Sequence, residues 1–302
     1  MSRVVLEVMP LPSVVAIIPT YNRWAKTQRF LQQFIRQSYT ALTIVVVDAN
    51  SPDGTAKNIH QQYPNVVLLQ VDDRQYWAGA TNAGISYALT RAYDYILTIN
   101  DDAIVASDHV QHLVTLAQSY GLSILGNRID YLTPPGKVWA LGTQLTWGTS
   151  NFLRLQYHDV DVKDLPADMM AQEVVPVHTL PGDGVLIHRS VFEKVGLYQS
   201  NFLPHYHADS ELILRAKKHG FRAYVAPHVV LKDDFSAEQK KQDLRSIAGL
   251  KYAFFHPKSH LFLGAIAYIF FCYCPWYAYP QTFYHLFLRL LSKDRSRSKG
   301  LS

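Results

Sequence analysis

Short apolar runs alternate with segments of helical spacing over the first hundred residues of the chain. Short apolar runs rich in β-branched residues are typical of buried strands. Such runs occupy residues 14–18, 42–47, 66–71 and 93–99, and apolar residues recur at helical spacing over 24–37, 55–63 and 79–92. Strands that alternate with helices predict an α/β fold with a mostly parallel, doubly wound central sheet.

The pattern changes after Gly121. Shorter apolar segments with Gly and Pro turns between them indicate strands near 123–129, 138–145, 152–157 and 185–187. The polar stretch 159–172 is typical of a surface loop. Helical spacing returns over 190–195, where Ser190 and Glu193 form a capping-box pattern, and over 210–219, which stops at Gly220.

From about Phe235 the chain becomes strongly apolar and aromatic. Residues 261–280 carry no charged side chain. A segment of about 20 such residues is just long enough to span a bilayer, although Pro275 and Pro280 would break a helix near its end. A second apolar stretch over 283–291 precedes a basic tail that contains Lys293, Arg295, Arg297 and Lys299.

Aromatic residues followed by cations favour a segment that lies on an anionic membrane face rather than one that spans it. The alternative is that these residues form helices that cover the domain or build a homo-oligomer interface. No basic n-region or long apolar h-region opens the chain, so we expect no secretory signal and a cytoplasmic setting.

Composition narrows the classes of partner. The chain has 302 residues, 48% of them hydrophobic, and a formal net charge of +5, which favours an anionic partner such as a nucleotide or a membrane surface. No RNA-binding motif or basic stripe with interleaved aromatics is present, so no nucleic-acid partner is predicted. Cys272 and Cys274, the two cysteines, exclude a disulfide framework and a four-cysteine zinc site.

Polar residues follow three of the predicted strands at the point where each ends. They are residues 19–23, 48–55 and the run Asn100, Asp101 and Asp102. In open α/β sheets, ligands bind outside the carboxyl ends of the strands. Two adjacent carboxylates there suit Mg²⁺ or Mn²⁺ shared with a phosphate-bearing ligand. The alternative is an Asx-rich turn that caps the next helix, but three strands that end alike favour a binding rim.

Six motifs occur in order within the region from Val14 to Pro227. They are IPTYNR at 18–23, VDANSPDGT at 47–55, WAGATNAG at 77–84, TINDD at 98–102, GDGVLIHR at 182–189 and FLPHYHADSEL at 202–212. Their order and spacing resemble family 2 inverting glycosyltransferases of the GT-A fold, with closest similarity to rhamnosyl- and galactofuranosyl-type enzymes. The resemblance implies a donor that is a UDP- or dTDP-sugar.

The resemblance also implies site residues. The nucleotide pocket would include Pro19, Thr20, Tyr21, Arg23, Asp48, Asn82, Gly84 and Asp101. Within it, Asp48 would contact the nucleobase and Asp101 the ribose, while Asn82 and Gly84 would start a helix whose amides face the donor. Asp102 would bind the Mn²⁺ or Mg²⁺ ion that bridges the diphosphate. Asp209 would be the general base that deprotonates the acceptor hydroxyl.

Several positions depart from the family pattern. Ala208 replaces an acidic residue, Glu211 stands where Asp is common, and Arg74 and Tyr76 stand where Asn and Gly are common. The family often places a metal-ligating His several residues after the Pro that ends the last strand, here taken to be Pro227. His228 is therefore a candidate metal ligand, although Lys232 and Asp233 lie nearer the expected position. The alternative is that the third metal ligand is missing and that metal binding is weaker.

We therefore expect a GT-A domain over 1–235, with a nucleotide half near 1–120 and an acceptor half near 121–235, and a helical segment over 236–302 that contacts the membrane. The expected function is metal-dependent, inverting transfer of a sugar to a glycan or lipid-linked acceptor in cell-surface polysaccharide synthesis, at the inner face of the cell membrane. The alternatives are a sugar nucleotidyltransferase, although 19–23 contains no glycine, and an inactive nucleotide-binding or membrane scaffold subunit.

Overall fold

The computed structural model describes residues 10–235, 246–259 and 261–291. The strands are β1 Val14–Thr20, β2 Leu42–Asp48, β3 Val67–Gln70, β4 Tyr95–Thr98, β5 Ile104–Val105, β6 Ile124–Tyr131, β7 Val138–Ala140, β8 Thr143–Leu145, β9 Leu153–Leu155, β10 Val175–Val177, β11 Val185–His188 and β12 Ala223–Asp233. The helices are α1 Trp24–Phe34, α2 Thr55–Gln62, α3 Tyr76–Leu89, α4 His109–Ser119, α5 Ala167–Met170, α6 Arg189–Val195, α7 Ala208–Lys218, α8 Ile247–Phe255, α9 Leu263–Tyr273 and α10 Tyr279–Leu291. Strands and helices alternate through the first half, as the apolar pattern predicts.

A ten-stranded sheet forms the centre of the fold, in the order β10-β12-β6-β11-β4-β1-β2-β3, with β5 and β7 paired at its side. The four strands β4, β1, β2 and β3 are mutually parallel. Their register pairs Thr20 with Asp48 and Asp48 with Gln70. The carboxyl ends of these strands therefore meet at one edge, where the polar runs of the sequence were expected to meet.

The second half of the sheet is mixed. β11 lies antiparallel between β4 and β6, and β12 runs parallel to β6. The short strand β5 follows the Asp101-Asp102 pair and lies antiparallel to the far end of β12, with Ile104 opposite Lys232. This pairing brings the carboxyl end of β12, where Asp233 lies, close to the end of β4.

Helices cover both faces of the sheet and bury two apolar cores. One core packs α3, α6, α7 and part of α9 against residues such as Val15 and Val47, and the other packs α1, α2 and α4 against residues such as Ala16 and Val46. Alternate residues of one strand serve opposite faces because strand side chains alternate. Strands β1, β2 and β4 are buried on both faces over most of their length, which explains their continuous apolar runs. Strand β3, at the edge of the sheet, is only partly buried.

Several elements differ from the sequence-based expectation. Helix α4 was not predicted, although Val110, Leu113 and Ala117 have the spacing of a buried helix face. The stretch 159–172 is not a bare loop, because Met169 of α5 is buried. The expected end of the last strand at Pro227 is wrong, because β12 continues to Asp233 past a shift in register between Ala226 and Val230 that accommodates the proline.

Helices α9 and α10 of the C-terminal segment pack on the second half of the sheet domain. The Tyr273 hydroxyl of α9 donates a hydrogen bond to Glu211 Oε1 at 2.5 Å, and Thr282 Oγ1 of α10 accepts one from the Gly148 amide at 2.8 Å. Ala265 and Ile269 join the larger core. Within the described part of the chain, no helix has the length and apolar character needed to cross a membrane.

Candidate active site

Two carboxylates and two cations form the centre of the strand-end rim. Asp101 and Asp102, here called the rim carboxylates, directly follow β4. Arg23 Nη2 lies 2.5 Å and Lys26 Nζ 2.9 Å from Asp102 Oδ2. Arg23 Nη1 lies 3.2 Å from Asp101 Oδ1. The predicted rim therefore exists, and Arg23 lies within it as expected.

Asp101 is the buried member of the pair. Its Oδ2 accepts hydrogen bonds from the hydroxyls of Thr20 and Thr27, each at 2.7 Å. Its Oδ1 is buried and faces Arg23 without a well-aligned donor among the described residues. Burial raises the pKa of Asp101, and Arg23 and the two threonine hydroxyls only partly offset that effect. A ribose hydroxyl would reach Oδ1 only if the Arg23 side chain moved away from it.

Local sequence explains why these cations face the rim. Arg23, Lys26 and Thr27 are separated by three and four residues, so the first turn of α1 presents them on one side. Cations at a helix start are unfavourable, and no acidic residue lies in the first turn of α1. The rim carboxylates compensate for this arrangement. Lys26 and Thr27 were missed as site residues, although helical spacing from Arg23 would have identified them.

The loop after β2 supports the next part of the rim. Asp48 is fully buried, and its carboxylate accepts hydrogen bonds from the amide and hydroxyl of Ser51. Burial raises the pKa of Asp48, against the opposing effect of Ser51. Asp53 Oδ2 accepts a hydrogen bond from the Trp24 amide at 2.8 Å and so ties this loop to the start of α1. Asp48 lies beside Thr20, as predicted. In this structure its carboxylate accepts hydrogen bonds from Ser51 rather than from a ligand.

The remaining residues at the end of β1 differ in exposure. Pro19 is buried within the strand and lies opposite Val47, so it shapes the pocket floor through the backbone. The side chain of Tyr21 is 40% exposed. It lies at the open side of the rim, where a nucleotide would have access to it.

Asn82 and Gly84, predicted to face the donor, have structural contacts instead. Asn82 Nδ2 donates to the Tyr198 carbonyl and Asn82 Oδ1 accepts from the Tyr198 amide, both at 2.9 Å. A Cβ atom at position 84 would lie 2.4 Å from Ile17 Cγ2. Asn82 therefore holds the segment before α7, and glycine at 84 lets α3 pack closely on the sheet.

Trp77 connects the rim to the second half of the site. Its indole Nε1 donates to Asn100 Oδ1 at 3.0 Å. The Asn100 amide donates to Asp183 Oδ1 at 2.8 Å. A Cβ atom at Gly182 would lie 2.7 Å from the Trp77 ring, so only glycine fits there. Trp77 and Asp183 were not predicted as site residues, although both lie in the quoted motifs.

Asp209 lies at the start of α7 beside this glycine turn. Its Oδ2 accepts from the Gly182 amide at 2.8 Å and its Oδ1 accepts from the Ser210 amide at 2.7 Å. The residue is half-buried. Burial raises the pKa of Asp209 despite these two donors. A fixed carboxylate of raised pKa is suited to accept a proton near neutral pH.

His228, the predicted second metal ligand, is not beside Asp102. It is exposed, and its Nε2 lies 2.9 Å from the Met170 carbonyl at the end of α5. It lies within the register shift between Ala226 and Val230, whereas Lys232 is the β12 residue that lies opposite Ile104, next to the rim carboxylates. Asp233 is the acidic residue at the end of β12 that lies near the rim, and it is 5% exposed. Burial would lower the pKa of Arg23, but the rim carboxylates and Asp233 together raise it.

A divalent cation at the rim would need ligands beyond the protein side chains present there. Asp101, Asp102 and Asp233 bring three carboxylates against the two cations Arg23 and Lys26. Mg²⁺ is commonly held by one or two carboxylates together with phosphate oxygens. Within the described part of the chain, no group of three His, Cys, Asp or Glu side chains could hold a metal alone. The residues therefore fit an ion that a phosphate ligand helps to coordinate.

The architecture is a GT-A fold, as two solved structures show. The structure superposes on GalNAc-T7, determined with UDP, GalNAc and Mn²⁺, with a TM-score of 0.61 and 16% identity over 75% of this chain and 44% of that chain. It superposes on Staphylococcus aureus TarS with a TM-score of 0.54 and 13% identity over 75% of this chain and 37% of that chain. At these identities the likeness concerns the fold alone.

The sequence profile described as Glycosyl transferase family 2 matches residues 15–196, and the chain belongs to this family. It is 31% identical over 134 residues to glycosyltransferase AglE of Haloferax volcanii, which is 42% of each protein. It is 25% identical over 178 residues to an undecaprenyl-phosphate mannosyltransferase of Micrococcus luteus, which is 57% of this chain and 71% of that protein. The match thus spans less than half the length of AglE. The predicted family and the GT-A fold class are confirmed, and the similarity to rhamnosyl- and galactofuranosyl-type enzymes stays a prediction.

Proposed function

We propose that this protein is a metal-dependent, inverting glycosyltransferase. It would transfer the sugar of a UDP- or dTDP-sugar to a hydroxyl group of a glycan or lipid-linked acceptor. The observation that carries this proposal is the juxtaposition of two sites across Trp77. On one side lie the rim carboxylates with Arg23 and Lys26. On the other side lies Asp209, fixed by two backbone amides.

The rim supports a nucleoside diphosphate as the donor. Asp48 could accept from the ring N–H that uracil and thymine share, Asp101 could accept from a ribose hydroxyl, and Arg23 and Lys26 could donate to phosphate oxygens. A divalent ion held by Asp102 and Asp233 would stabilise the charge of the leaving diphosphate. Asp233 replaces His228 in this assignment because it lies at the same end of β12 as the rim.

Asp209 supports an acceptor that is a hydroxyl group. The new bond joins the acceptor oxygen to the anomeric carbon, the bond from that carbon to the β-phosphate oxygen breaks, and the acceptor proton passes to Asp209. Attack from the face opposite the leaving group inverts the anomeric carbon. An acceptor phosphate, as in the name of the Micrococcus luteus relative, is already ionised at neutral pH and would need no base.

We also propose that the C-terminal segment contacts an anionic membrane surface, which would bring the site to a lipid-linked acceptor of cell-surface polysaccharide synthesis. Large exposed aromatics support this contact: Phe271 at 68%, Trp276 at 82%, Tyr277 at 71% and Phe283 at 62% exposure. The sequence that follows α10 is rich in Lys and Arg, which suits anionic lipids.

Vesicle sedimentation tests the membrane proposal. The protein should sediment with phosphatidylglycerol vesicles and much less with phosphatidylcholine vesicles, and the double variant Trp276→Ser/Tyr277→Ser should lose most of this binding. Binding to neither vesicle, or a dimer in solution that the same double variant dissociates, would assign the patch to a protein interface instead.

A scaffold subunit without catalytic activity is the main competing function. It would retain nucleotide binding but show no sugar transfer or donor hydrolysis. The sugar nucleotidyltransferase alternative is weakened, since the family profile matches the chain and no glycine-rich phosphate loop follows β1. Incubation of the protein with Mn²⁺, pyrophosphate and a panel of UDP- and dTDP-sugars separates the three functions by the product released. A transferase releases the nucleoside diphosphate, a nucleotidyltransferase consumes pyrophosphate and releases a nucleoside triphosphate with sugar 1-phosphate, and a scaffold releases neither.

A further inference from the structure

The loop between α8 and α9 carries a cation to the open side of the rim. Lys258 Nζ lies 5.6 Å from the ring centroid of Tyr21 and 5.9 Å from that of Tyr76. Tyr21 directly follows β1, and Tyr76 begins α3 next to Trp77. One ammonium group from the C-terminal segment thus lies near two aromatic side chains, one at the end of β1 and one beside Trp77.

The local conformation of this loop is fixed by hydrogen bonds. Ser259 is 1% exposed, and its hydroxyl donates to the Ala253 carbonyl at 2.5 Å and accepts from the Leu261 amide at 3.1 Å. The Lys258 amide donates to His256 Nδ1 at 3.1 Å. Helix α9, which follows the loop, is anchored to α7 by Tyr273 and Glu211. Docking of the C-terminal segment therefore determines where Lys258 lies.

The contacts with the two rings are weak, so the ammonium group of Lys258 can still bind an anion. Both distances are close to the outer limit of about 6 Å for a cation–π interaction. The Lys258 side chain is exposed. The residues that the structure describes offer it no ion pair, whereas Arg23 and Lys26 are already paired with the rim carboxylates. Lys258 is thus a cation available to a ligand at the mouth of the site.

We infer that Lys258 is a donor-binding residue whose ammonium contacts the diphosphate of the nucleotide sugar, with Tyr21 and Tyr76 holding the lysine chain above the rim. The inference rests on the proposed function. The diphosphate is the anionic part of such a donor, and lysine binds phosphate as a point charge. Because the diphosphate gains negative charge as the bond to the sugar breaks, the same contact would strengthen in the transition state.

The experiment compares Lys258→Met with Lys251→Met, which removes an exposed lysine from α8 of the same segment. Calorimetry with Mn²⁺ measures the binding of the nucleoside diphosphate that the wild-type protein binds, UDP or dTDP, and of the matching nucleoside. We expect Lys258→Met to weaken diphosphate binding at least tenfold and to leave nucleoside binding within twofold. Lys251→Met should match the wild type for both ligands, and Lys258→Arg should retain most of the diphosphate affinity.

Equal diphosphate affinity in Lys258→Met and the wild type would overturn the inference while leaving the proposed function intact. An equal loss of nucleoside and diphosphate affinity would also overturn it, because the loop would then act only as a wall of the pocket. If the folded wild-type protein binds neither diphosphate, the proposed function itself fails, and the inference fails with it.

Discussion

Replacement of Asp209 by asparagine changes one oxygen of the group that we assign as the general base. The carboxylate accepts one backbone amide on each oxygen, from Gly182 and Ser210. Asparagine can accept only one of them with its carbonyl oxygen, and its NH₂ group would face the other donor. The shape of the side chain stays the same, so the position of α7 should not change.

The size of the effect follows from the role of the residue. A positioned general base contributes about 10²- to 10⁴-fold to a rate, which corresponds to about 3 to 5 kcal/mol of transition-state free energy. One unsatisfied amide costs about 1–3 kcal/mol of folding stability. At neutral pH the variant also no longer buries a charge, and this gain opposes that loss. We therefore expect turnover to collapse while the protein stays folded.

The assay measures release of nucleoside diphosphate in the presence of acceptor, alongside calorimetric binding of the same diphosphate. Asp209→Asn should lose at least a hundredfold in turnover and bind the diphosphate within threefold of the wild type. Asp168→Asn, which changes an exposed aspartate in the first turn of α5, serves as the matched control and should keep full activity. Near-normal turnover in Asp209→Asn would refute the assignment of the base and favour an acceptor that is already ionised.

Four other outcomes follow from the contacts described above. Asp102→Ala should abolish the dependence of nucleotide binding on Mn²⁺ or Mg²⁺, and an unchanged dependence in a metal titration would remove Asp102 from the metal site. Thr27→Val should lower the free energy of unfolding by about 2 kcal/mol at pH 7, because the hydrogen bond from the Thr27 hydroxyl to the buried Asp101 carboxylate is lost. In urea unfolding, this loss of stability should shrink as the pH falls through the raised pKa of Asp101. A loss that does not change with pH would contradict the reasoning. Tyr273→Phe should lower the free energy of unfolding by about 1.5–3 kcal/mol in the same assay, because it removes a hydrogen bond to the fully buried Glu211. The control Tyr277→Phe, at an exposed position, should leave the stability unchanged. Equal stabilities of the two variants would mean that α9 is not docked as described. Because burial raises the pKa of Asp209 and a base acts only when ionised, kcat/KM should fall on the acid side at a pH above about 3.9, the ordinary value for Asp, and a limb at or below that value would be inconsistent with the site.

The folding of the nucleotide half could be predicted closely from the sequence. Continuous apolar runs identify strands that are buried on both faces, and parallel pairing then requires their carboxyl ends to meet. Thr20 and Asp48 therefore lie side by side, as their positions after the runs implied. The rim carboxylates followed from the same logic, because they come directly after a buried strand.

Features that could not be predicted from the sequence depend on contacts between residues far apart along the chain. Asn82 contacts Tyr198, which lies 116 positions further along the chain, and nothing near Asn82 indicates that partner. The proline at 227 suggested a strand end, but pairing with β6 carries β12 past it. That extension places Asp233, rather than His228, at the end of the strand that lies beside the rim.

For the C-terminal segment, composition alone does not tell which residues pack on the domain and which stay exposed. Its aromatic composition is compatible with a membrane contact, a packed helix or both. Residues that pack on the domain, such as Tyr273, and residues that stay exposed, such as Trp276, lie within three positions of each other. The expected boundary of the glycosyltransferase domain at residue 235 stays a prediction, and the contacts of α9 tie the segment beyond it to α7.

The central claim is that the rim binds a nucleoside-diphosphate sugar with the help of a divalent cation. Calorimetry of the wild-type protein and Asp102→Ala with UDP- and dTDP-sugars, with Mn²⁺ and with EDTA, tests it most directly. We predict that at least one of these donors binds the wild type with Mn²⁺ and binds at least tenfold more weakly with EDTA, and that Asp102→Ala shows no such difference. Absence of binding to any donor with Mn²⁺, in a protein whose thermal unfolding shows that it is folded, would contradict the account.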